Sequence, residues 1–172
     1  MQIIKTHFKD LILIKNKNFY DSRGFFREVF KKKIIKNNFV FDCMSTSKKN
    51  VLRGLHYQEK FPQGKLLTVL SGKIFDVAVD LRKKSKTYGK YFSITIDAKS
   101  GISIFIPPNF AHGFLCLSDE CNIYYKCTNY RHEKSEKTIL FKDKKLDIKW
   151  PKRKYILSKK DQLGLNFNDL TK

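Results

Sequence analysis

The sequence predicts an all-β protein, a sandwich or barrel built from many short strands. Valine, isoleucine, phenylalanine and tyrosine cluster in short runs, and these residues favour half-buried strands. Turn residues separate the runs at intervals of roughly 8–12 residues, as in sandwiches and barrels. The chain of 172 residues fits one domain, which we expect to span residues 1–172.

Turn residues separate the predicted elements along the chain. Strands are expected at residues 3–15, 66–70, 74–81, 91–98, 102–107, 111–118 and 122–130. Residues 26–39 are short and mixed, and they predict either a strand or one weak helix. Pro107 and Pro108 cannot donate to a ladder, so they end a strand or lie on an edge. Near the C-terminus, Ser158 is predicted to cap a short helix.

The net charge of +20 arises from 36 basic and 16 acidic residues. Such a charge could indicate a nucleic-acid partner, but the lysines are spread along the chain and no known nucleic-acid-binding motif accompanies them. We therefore expect no nucleic-acid partner, although the positive field would attract an anionic substrate. No apolar run approaches the ~20 residues of a membrane span, so no membrane partner is expected either.

The four cysteines, Cys43, Cys116, Cys121 and Cys127, form no CxxC motif. The N-terminal residues lack the layout of a signal peptide, because charges interrupt the apolar positions. We therefore expect a cytoplasmic protein with reduced thiols.

The histidines do not form a metal-binding pattern. A metal site in a β-barrel would require something like HxH plus a carboxylate, and the position two after His56 is Gln58. We therefore expect no metal. No nucleophile elbow or phosphate-binding loop occurs, so hydrolase and kinase functions have no support.

Acid–base chemistry is what the remaining polar residues suggest. Histidine has an ordinary pKa of ~6.5, which makes His56 a suitable general base. It needs an orienting carboxylate, for which the candidates are Asp76, Asp80 and Asp161. Lys65 lies just ahead of a predicted strand, where an inward ammonium could stabilise an oxyanion. Tyr124 and Tyr125 should point to opposite faces of their strand, so one can face the interior.

The stretch VLRGLHYQ, residues 51–58, predicts an irregular strand. Arg53 and His56 are an odd number of positions apart, so a regular strand would send them to opposite faces. A bulge at Gly54 would bring both side chains to one cavity.

The chain resembles the dTDP-4-dehydrorhamnose 3,5-epimerase family over nearly its whole length. The matching segments are FYDSRGFFREVF (19–30), NVLRGLHYQ (50–58), 62–89, IFIPPNFAHGF (104–114), YYKCT (124–128), IKWP (148–151) and LSKKD (157–161). The resemblance implies a cupin-like β-barrel, or jelly roll, that forms a homodimer. It also implies epimerisation of a nucleotide-diphosphate 4-keto sugar without a cofactor, in the synthesis of surface polysaccharides such as capsule or lipopolysaccharide.

The resemblance also implies a role for each matching residue. His56 would be the base, Asp161 its carboxylate partner, Lys65 the group that stabilises the enolate oxygen, and Tyr125 the acid on the opposite face. The substrate-binding set would be Arg23, Phe26, Glu28, Arg53, His112 and Asp76. Of these, Arg23, Phe26 and Glu28 would contact the nucleotide across the dimer interface, and Asp76 would support a histidine or lysine from behind.

Several positions depart from the family pattern. Phe41 and Cys43 stand where members usually have glutamine and asparagine, Asn109 replaces a glycine, and Tyr130 is followed by Arg131 where many members have a second tyrosine. These changes leave the predicted catalytic set intact and alter the substrate surroundings. A GDP-linked 4-keto heptose as substrate, or inversion of one centre only, therefore stays open beside the dTDP-6-deoxyhexose.

Three alternatives compete with the epimerase. A 3,4-ketoisomerase on the same fold would also move protons around a keto sugar. A nucleic-acid-binding β-barrel would use the +20 charge but lacks a stacking motif. A metal-dependent cupin oxygenase would require bound metal.

Overall fold

Two antiparallel β-sheets dominate the computed structural model, which describes residues 1–171. The strands in chain order are β1 (Gln2–Lys5), β2 (Ile12–Lys15), β3 (Asn18–Asp21), β4 (Gly24–Arg27), β5 (Phe41–Lys48), β6 (Leu52–Gln58), β7 (Lys65–Ser71), β8 (Lys73–Asp80), β9 (Tyr91–Asp97), β10 (Ile102–Ile106), β11 (Phe110–Cys116), β12 (Glu120–Cys127) and β13 (Glu136–Thr138). Short 3₁₀-helices occur at Ala98–Ser100, Glu133–Ser135 and Phe167–Thr171, and one α-helix, α1, spans Lys159–Gln162. The all-β prediction is confirmed.

The sheets divide the strands in a non-sequential order. One sheet has six strands in the order β1-β2-β10-β7-β12-β5, and the other has five in the order β13-β6-β11-β8-β9. Strands β3 and β4 form a separate hairpin. No helix among the described residues is long and apolar enough to cross a membrane.

Three apolar clusters hold these layers together. The largest fills the space between the sheets, with Leu67 and Ile104 from one sheet and Ile74 and Phe114 from the other. A second covers the outer face of the five-stranded sheet with the C-terminal segment, and a third covers the outer face of the six-stranded sheet. Both faces of each sheet are therefore covered by apolar residues. Polar side chains that lie in this interior are exceptions, and each requires a partner or a function.

Two predicted elements were wrong. Residues 3–15 form two paired strands, because the Thr6 hydroxyl accepts a hydrogen bond from the Phe8 amide and donates to the Leu11 carbonyl, closing a turn. Beyond β4, residues 28–39 are neither strand nor helix. Their apolar side chains, including the buried Ile35, pack on the outer face of the six-stranded sheet.

The predicted helix cap is confirmed. The Ser158 hydroxyl accepts a hydrogen bond from the Asp161 amide and so caps α1. This short helix carries the buried Asp161 and contacts β6.

Candidate active site

A cavity opens between the two sheets and contains most of the predicted catalytic residues. Arg53, His56, Lys65, His112 and Tyr125 all line it. They come from β6 and β11 in the five-stranded sheet and from β7 and β12 in the six-stranded sheet.

A bulge in β6 brings Arg53 and His56 to the same side. Arg53 lies opposite Phe114 and His56 opposite His112. Between these two pairs, β6 therefore contains one more residue than β11. Leu52 and Leu55 meanwhile both pack into the outer apolar cluster. The prediction that the strand is irregular near Gly54 is confirmed.

Glycine is required where the bulge touches its neighbour. Gly54 has φ +123°, a region that side chains rarely adopt. A Cβ added at Gly54 would lie 2.5 Å from the Cα of Gly113, and one added at Gly113 would lie 2.7 Å from the Arg53 carbonyl oxygen. The two glycines therefore let the backbones of β6 and β11 approach closely beneath the cavity.

His56 is paired with Asp161. Its Nε2 lies 2.5 Å from Asp161 Oδ1, and Asp161 Oδ2 accepts a hydrogen bond of 2.8 Å from the Ser158 hydroxyl. Burial alone would raise the pKa of the Asp161 carboxyl, but the hydrogen bonds and charge of His56 and the bond from Ser158 lower it below its ordinary value. An ionised carboxylate thus orients the imidazole.

The other two candidate carboxylates have different partners. Asp76, on β8, lies 2.7 Å from Nε2 of His112, and both side chains are buried. Asp80 accepts hydrogen bonds from Arg82, Ser85 and Thr87. Asp76 is not among the residues that line the cavity. It lies behind His112, as expected of a carboxylate that supports a histidine, and its place in the substrate-binding set stays a prediction.

Lys65 and Tyr125 face the cavity from the six-stranded sheet. Burial lowers the pKa of the Lys65 ammonium, and no carboxylate among residues 1–171 forms an ion pair with it. Burial raises the pKa of Tyr125, whose hydroxyl lies 3.3 Å from that of Ser45. Tyr124 points outward and donates to Asp42, so the predicted opposite orientation of the two tyrosines is confirmed.

Arg53 is held at the edge of the cavity. Its Nε donates to the Ser47 hydroxyl at 2.9 Å, and one terminal nitrogen donates to the Thr46 carbonyl at 3.0 Å. Both partners belong to β5, so Arg53 also ties the five-stranded sheet to the six-stranded sheet.

The β3–β4 hairpin places the remaining predicted residues outside the cavity. Arg23 is exposed and paired with Asp21, Phe26 is exposed, and Glu28 pairs with Lys31. Their predicted nucleotide contact across a dimer interface stays a prediction.

The sequence reasoning missed several cavity residues. Cys127 shares the inward face of β12 with Tyr125, so strand alternation could have found it. Arg131 also lines the cavity and is one of the positions that depart from the family pattern. Gln63 and Glu136 reach it from a loop and from the short β13. No local pattern marks them, because their position depends on long-range packing.

The positions that depart from the family pattern lie in the cavity as well. Phe41 and Cys43 line it from alternate positions of β5, and Asn109 lines it from the turn before β11. Asn109 has φ +63°, a left-handed conformation that asparagine tolerates better than other residues with a side chain. Asparagine can therefore replace the usual glycine while keeping the turn.

Gln58 has a structural use. Its amide nitrogen donates to the Phe61 and Tyr130 carbonyls, and its oxygen accepts from the His132 amide. It thereby fixes two loops at the cavity mouth. Within residues 1–171, no cluster of three or more His, Cys, Asp or Glu side chains is placed to hold a metal ion.

The chain is similar to known proteins over nearly its full length. The family model for dTDP-4-dehydrorhamnose 3,5-epimerase matches residues 5–169. The chain is 44% identical to the dTDP-4-dehydrorhamnose 3,5-epimerase of Shigella flexneri, over 98% of this chain and 97% of the relative. It is also 44% identical to that of Methanothermobacter thermautotrophicus, over 94% and 91% of the two chains.

A solved structure shares the same architecture. It is dTDP-6-deoxy-D-glucose-3,5-epimerase from Legionella pneumophila in complex with dTDP-4-keto-L-rhamnose, with a TM-score of 0.93 and 41% identity over 97% of this chain and 93% of that one. The fold is accordingly the cupin-like jelly roll that the resemblance implied. The chain belongs to the dTDP-4-dehydrorhamnose 3,5-epimerase family and is an isomerase.

Proposed function

We propose that this protein is a 3,5-epimerase of a dTDP-linked 4-keto-6-deoxy sugar. One observation carries the proposal: His56, which is bonded to Asp161, and Tyr125 line one cavity from opposite sheets, and Lys65 lines the same cavity. Inversion of a carbon centre needs a base on one face and an acid on the other. The names of the relatives and the sugar bound in the Legionella protein support the substrate class.

His56 is the proposed base. A hydrogen on a carbon beside the C4 ketone is acidic, because the resulting carbanion is delocalised onto the ketone oxygen. His56 takes this proton, and the nearby Asp161 carboxylate stabilises the imidazolium that forms. Side-chain exposure of 27% leaves His56 accessible to a ligand in the cavity.

Lys65 and Tyr125 complete the proposed reaction. The Lys65 ammonium stabilises the enolate oxygen, because a positive charge in the cavity wall attracts the negative charge that develops there. Tyr125 has a pKa raised by burial, so it is protonated at neutral pH and available to donate to the opposite face of the carbon. Arg53, at the cavity edge, is the proposed contact for the phosphates or sugar.

The proposed reaction needs no redox cofactor. One C–H bond is broken and one is formed at each inverted carbon, so the oxidation level of the sugar is unchanged. The proposed product is an activated sugar for a surface polysaccharide, made in the cytoplasm.

The proposed active form is a homodimer. The β3–β4 hairpin exposes Phe19, Tyr20, Phe25 and Phe26, with 66% of Phe26 accessible. We place this hairpin at the cavity of a second copy, where Arg23, Phe26 and Glu28 would contact the nucleotide. Sedimentation analysis of the protein tests the dimer, and a monomer with full activity would contradict this arrangement.

The substrate assignment has one competitor. Phe41 and Cys43 bring apolar and thiol groups to the cavity wall, where the family pattern has amides. This difference favours testing a GDP-linked 4-keto heptose beside the dTDP sugar.

NMR in D₂O with a panel of dTDP- and GDP-linked 4-keto sugars tests the proposal. We expect deuterium at C3 and C5 of dTDP-4-keto-6-deoxyglucose, with inversion and without migration of the carbonyl. Carbonyl migration would indicate the ketoisomerase, and turnover of the GDP heptose alone would replace the proposed substrate. Absence of exchange, together with steeply salt-dependent oligonucleotide binding, would overturn the enzyme assignment.

A further inference from the structure

Two cysteines and two cations share one wall of the cavity. Cys43 on β5 and Cys127 on β12 both line it, as do Lys65 and Arg131. Cys43 lies opposite Tyr125 in the strand register and Cys127 opposite Phe41, so the two thiols are diagonal neighbours on the inward face of adjacent strands. The proposed epimerisation uses neither thiol.

The four cysteines differ in accessibility. Cys43 is half-buried and faces the cavity, whereas Cys116 and Cys121 are fully buried and Cys127 is 2% exposed. Only a thiol that a reagent can reach reacts at an appreciable rate. Accessibility alone therefore favours Cys43 within the described chain.

The surroundings of Cys43 favour its thiolate. The neighbouring Cys127 thiol has the largest effect, burial opposes it, and the charges of Lys65 and Arg131 assist; together they lower the pKa of Cys43 to about 7. Asp42 opposes this shift, but its carboxylate is exposed and paired with Lys126. The other nearby carboxylate of the cavity, Glu136, is bonded to Arg131 and Lys160.

We propose that Cys43 is a nucleophilic thiol of the cavity and a modification site for small electrophiles. Its sulfur attacks an electrophilic carbon, a C–S bond forms, the leaving group departs with its electron pair, and the thiol proton goes to solvent. The added group then occupies the cavity and blocks the sugar, a consequence that rests on the proposed function.

Alkylation by iodoacetamide, followed by peptide mass mapping, tests the site without relying on activity. We expect one adduct on the folded protein, at Cys43, with a rate that rises through a midpoint near pH 7. An ordinary thiol has its midpoint near ~8.5. A midpoint at that higher value, or faster labelling of another cysteine, would overturn the proposal.

A matched pair of variants tests the cause. Cys127→Ala removes the neighbouring thiol and should move the midpoint upward, whereas Cys127→Ser keeps a polar hydrogen at that position and should hold it lower. If the midpoint reached ~8.5, labelling at pH 7 would be about threefold slower, because a smaller thiolate fraction is partly offset by greater nucleophilicity. Identical midpoints in the two variants would contradict the role of Cys127.

The nucleotide sugar separates this proposal from the proposed function. We expect dTDP-glucose, which has no ketone to react, to slow the labelling of Cys43, and labelling to abolish epimerisation in parallel. Fast labelling at Cys43 without protection by dTDP-glucose would support the thiol assignment and would count against the proposed function.

Discussion

His56 and His112 lie directly opposite each other on β6 and β11, and each imidazole is bonded to its own carboxylate. The distances are 2.5 Å from His56 to Asp161 and 2.7 Å from His112 to Asp76. Their exposure differs, because 27% of the His56 side chain is accessible and only 6% of that of His112. The two pairs are therefore unequal, and the accessible one is suited to take a proton from a ligand.

The substitution His56→Asn should nearly abolish exchange at both carbons. General-base catalysis contributes about 10²–10⁴-fold to rates, so we expect a loss of turnover in that range. NMR in D₂O measures both exchange and inversion. His7→Asn, at an exposed position that packs on Phe8, is the matched control and should leave turnover unchanged. Retention of most activity by His56→Asn would contradict the mechanism.

The substitution Tyr125→Phe should impair protonation more than proton removal. Solvent exchange should therefore outlast epimerisation, since His56 can still remove a proton and return one from the same face. Tyr124→Phe changes the neighbouring outward tyrosine and should leave the ratio of exchange to inversion unchanged. Equal losses of exchange and inversion in Tyr125→Phe would assign the acid to another group.

The substitution Gly54→Ala should destabilise the fold more than Gly24→Ala. Both glycines have strongly positive φ, +123° and +138°, and an unfavourable backbone conformation costs about 1–3 kcal/mol at either position. Only Gly54 adds a steric overlap, with Gly113, worth about 1–3 kcal/mol more, because a Cβ at Gly24 would meet nothing within 4 Å. Urea denaturation measures the free energies of unfolding, and equal losses would show that the close approach of β6 and β11 is not required.

Asp80 should contribute to the acid sensitivity of the fold. Burial opposes its ionisation, but hydrogen bonds from Arg82, Ser85 and Thr87 lower its pKa to about 2. Because the folded pKa lies below the unfolded one, the stabilisation is complete above about pH 4 and is lost as the pH falls through about 2. The shift corresponds to about 2 kcal/mol.

Urea denaturation between pH 5 and pH 2 checks this contribution. Asp80→Asn cannot titrate at this position, so its free energy of unfolding should fall less steeply with decreasing pH than that of the unsubstituted protein. Parallel curves for the two proteins would place the acid sensitivity in other groups.

The alternation of side chains made much of the fold and of the site predictable. Tyr125 and Tyr124 followed it, and so did the strands around the turn at Gly72. Alternation did not predict the turn at Thr6. The hydroxyl of this residue bonds to two backbone groups and divides an apparently continuous strand in two. The segment after β4 likewise showed no hydrophobic periodicity, because it is a loop whose apolar residues cover the six-stranded sheet.

Local sequence patterns could not predict which carboxylate pairs with His56. Asp76, Asp80 and Asp161 were equivalent candidates on chemistry alone, and the resemblance to a family was required to choose Asp161. A contact between residues 105 positions apart leaves no trace in periodicity. Gln63 and Glu136 reach the cavity through equally distant packing, and they were missed.

The docking of α1 onto β6 has a consequence for the order of events during synthesis. The thirteen strands of the described residues precede α1 in the chain, so a ribosome makes the residues of every one of them before it makes Asp161. The backbone bonds between Leu52 and Ile156 and between Ile156 and Asn50 then attach the late segment to the edge of β6. A nascent chain therefore cannot form its histidine–carboxylate pair until this late segment has been made.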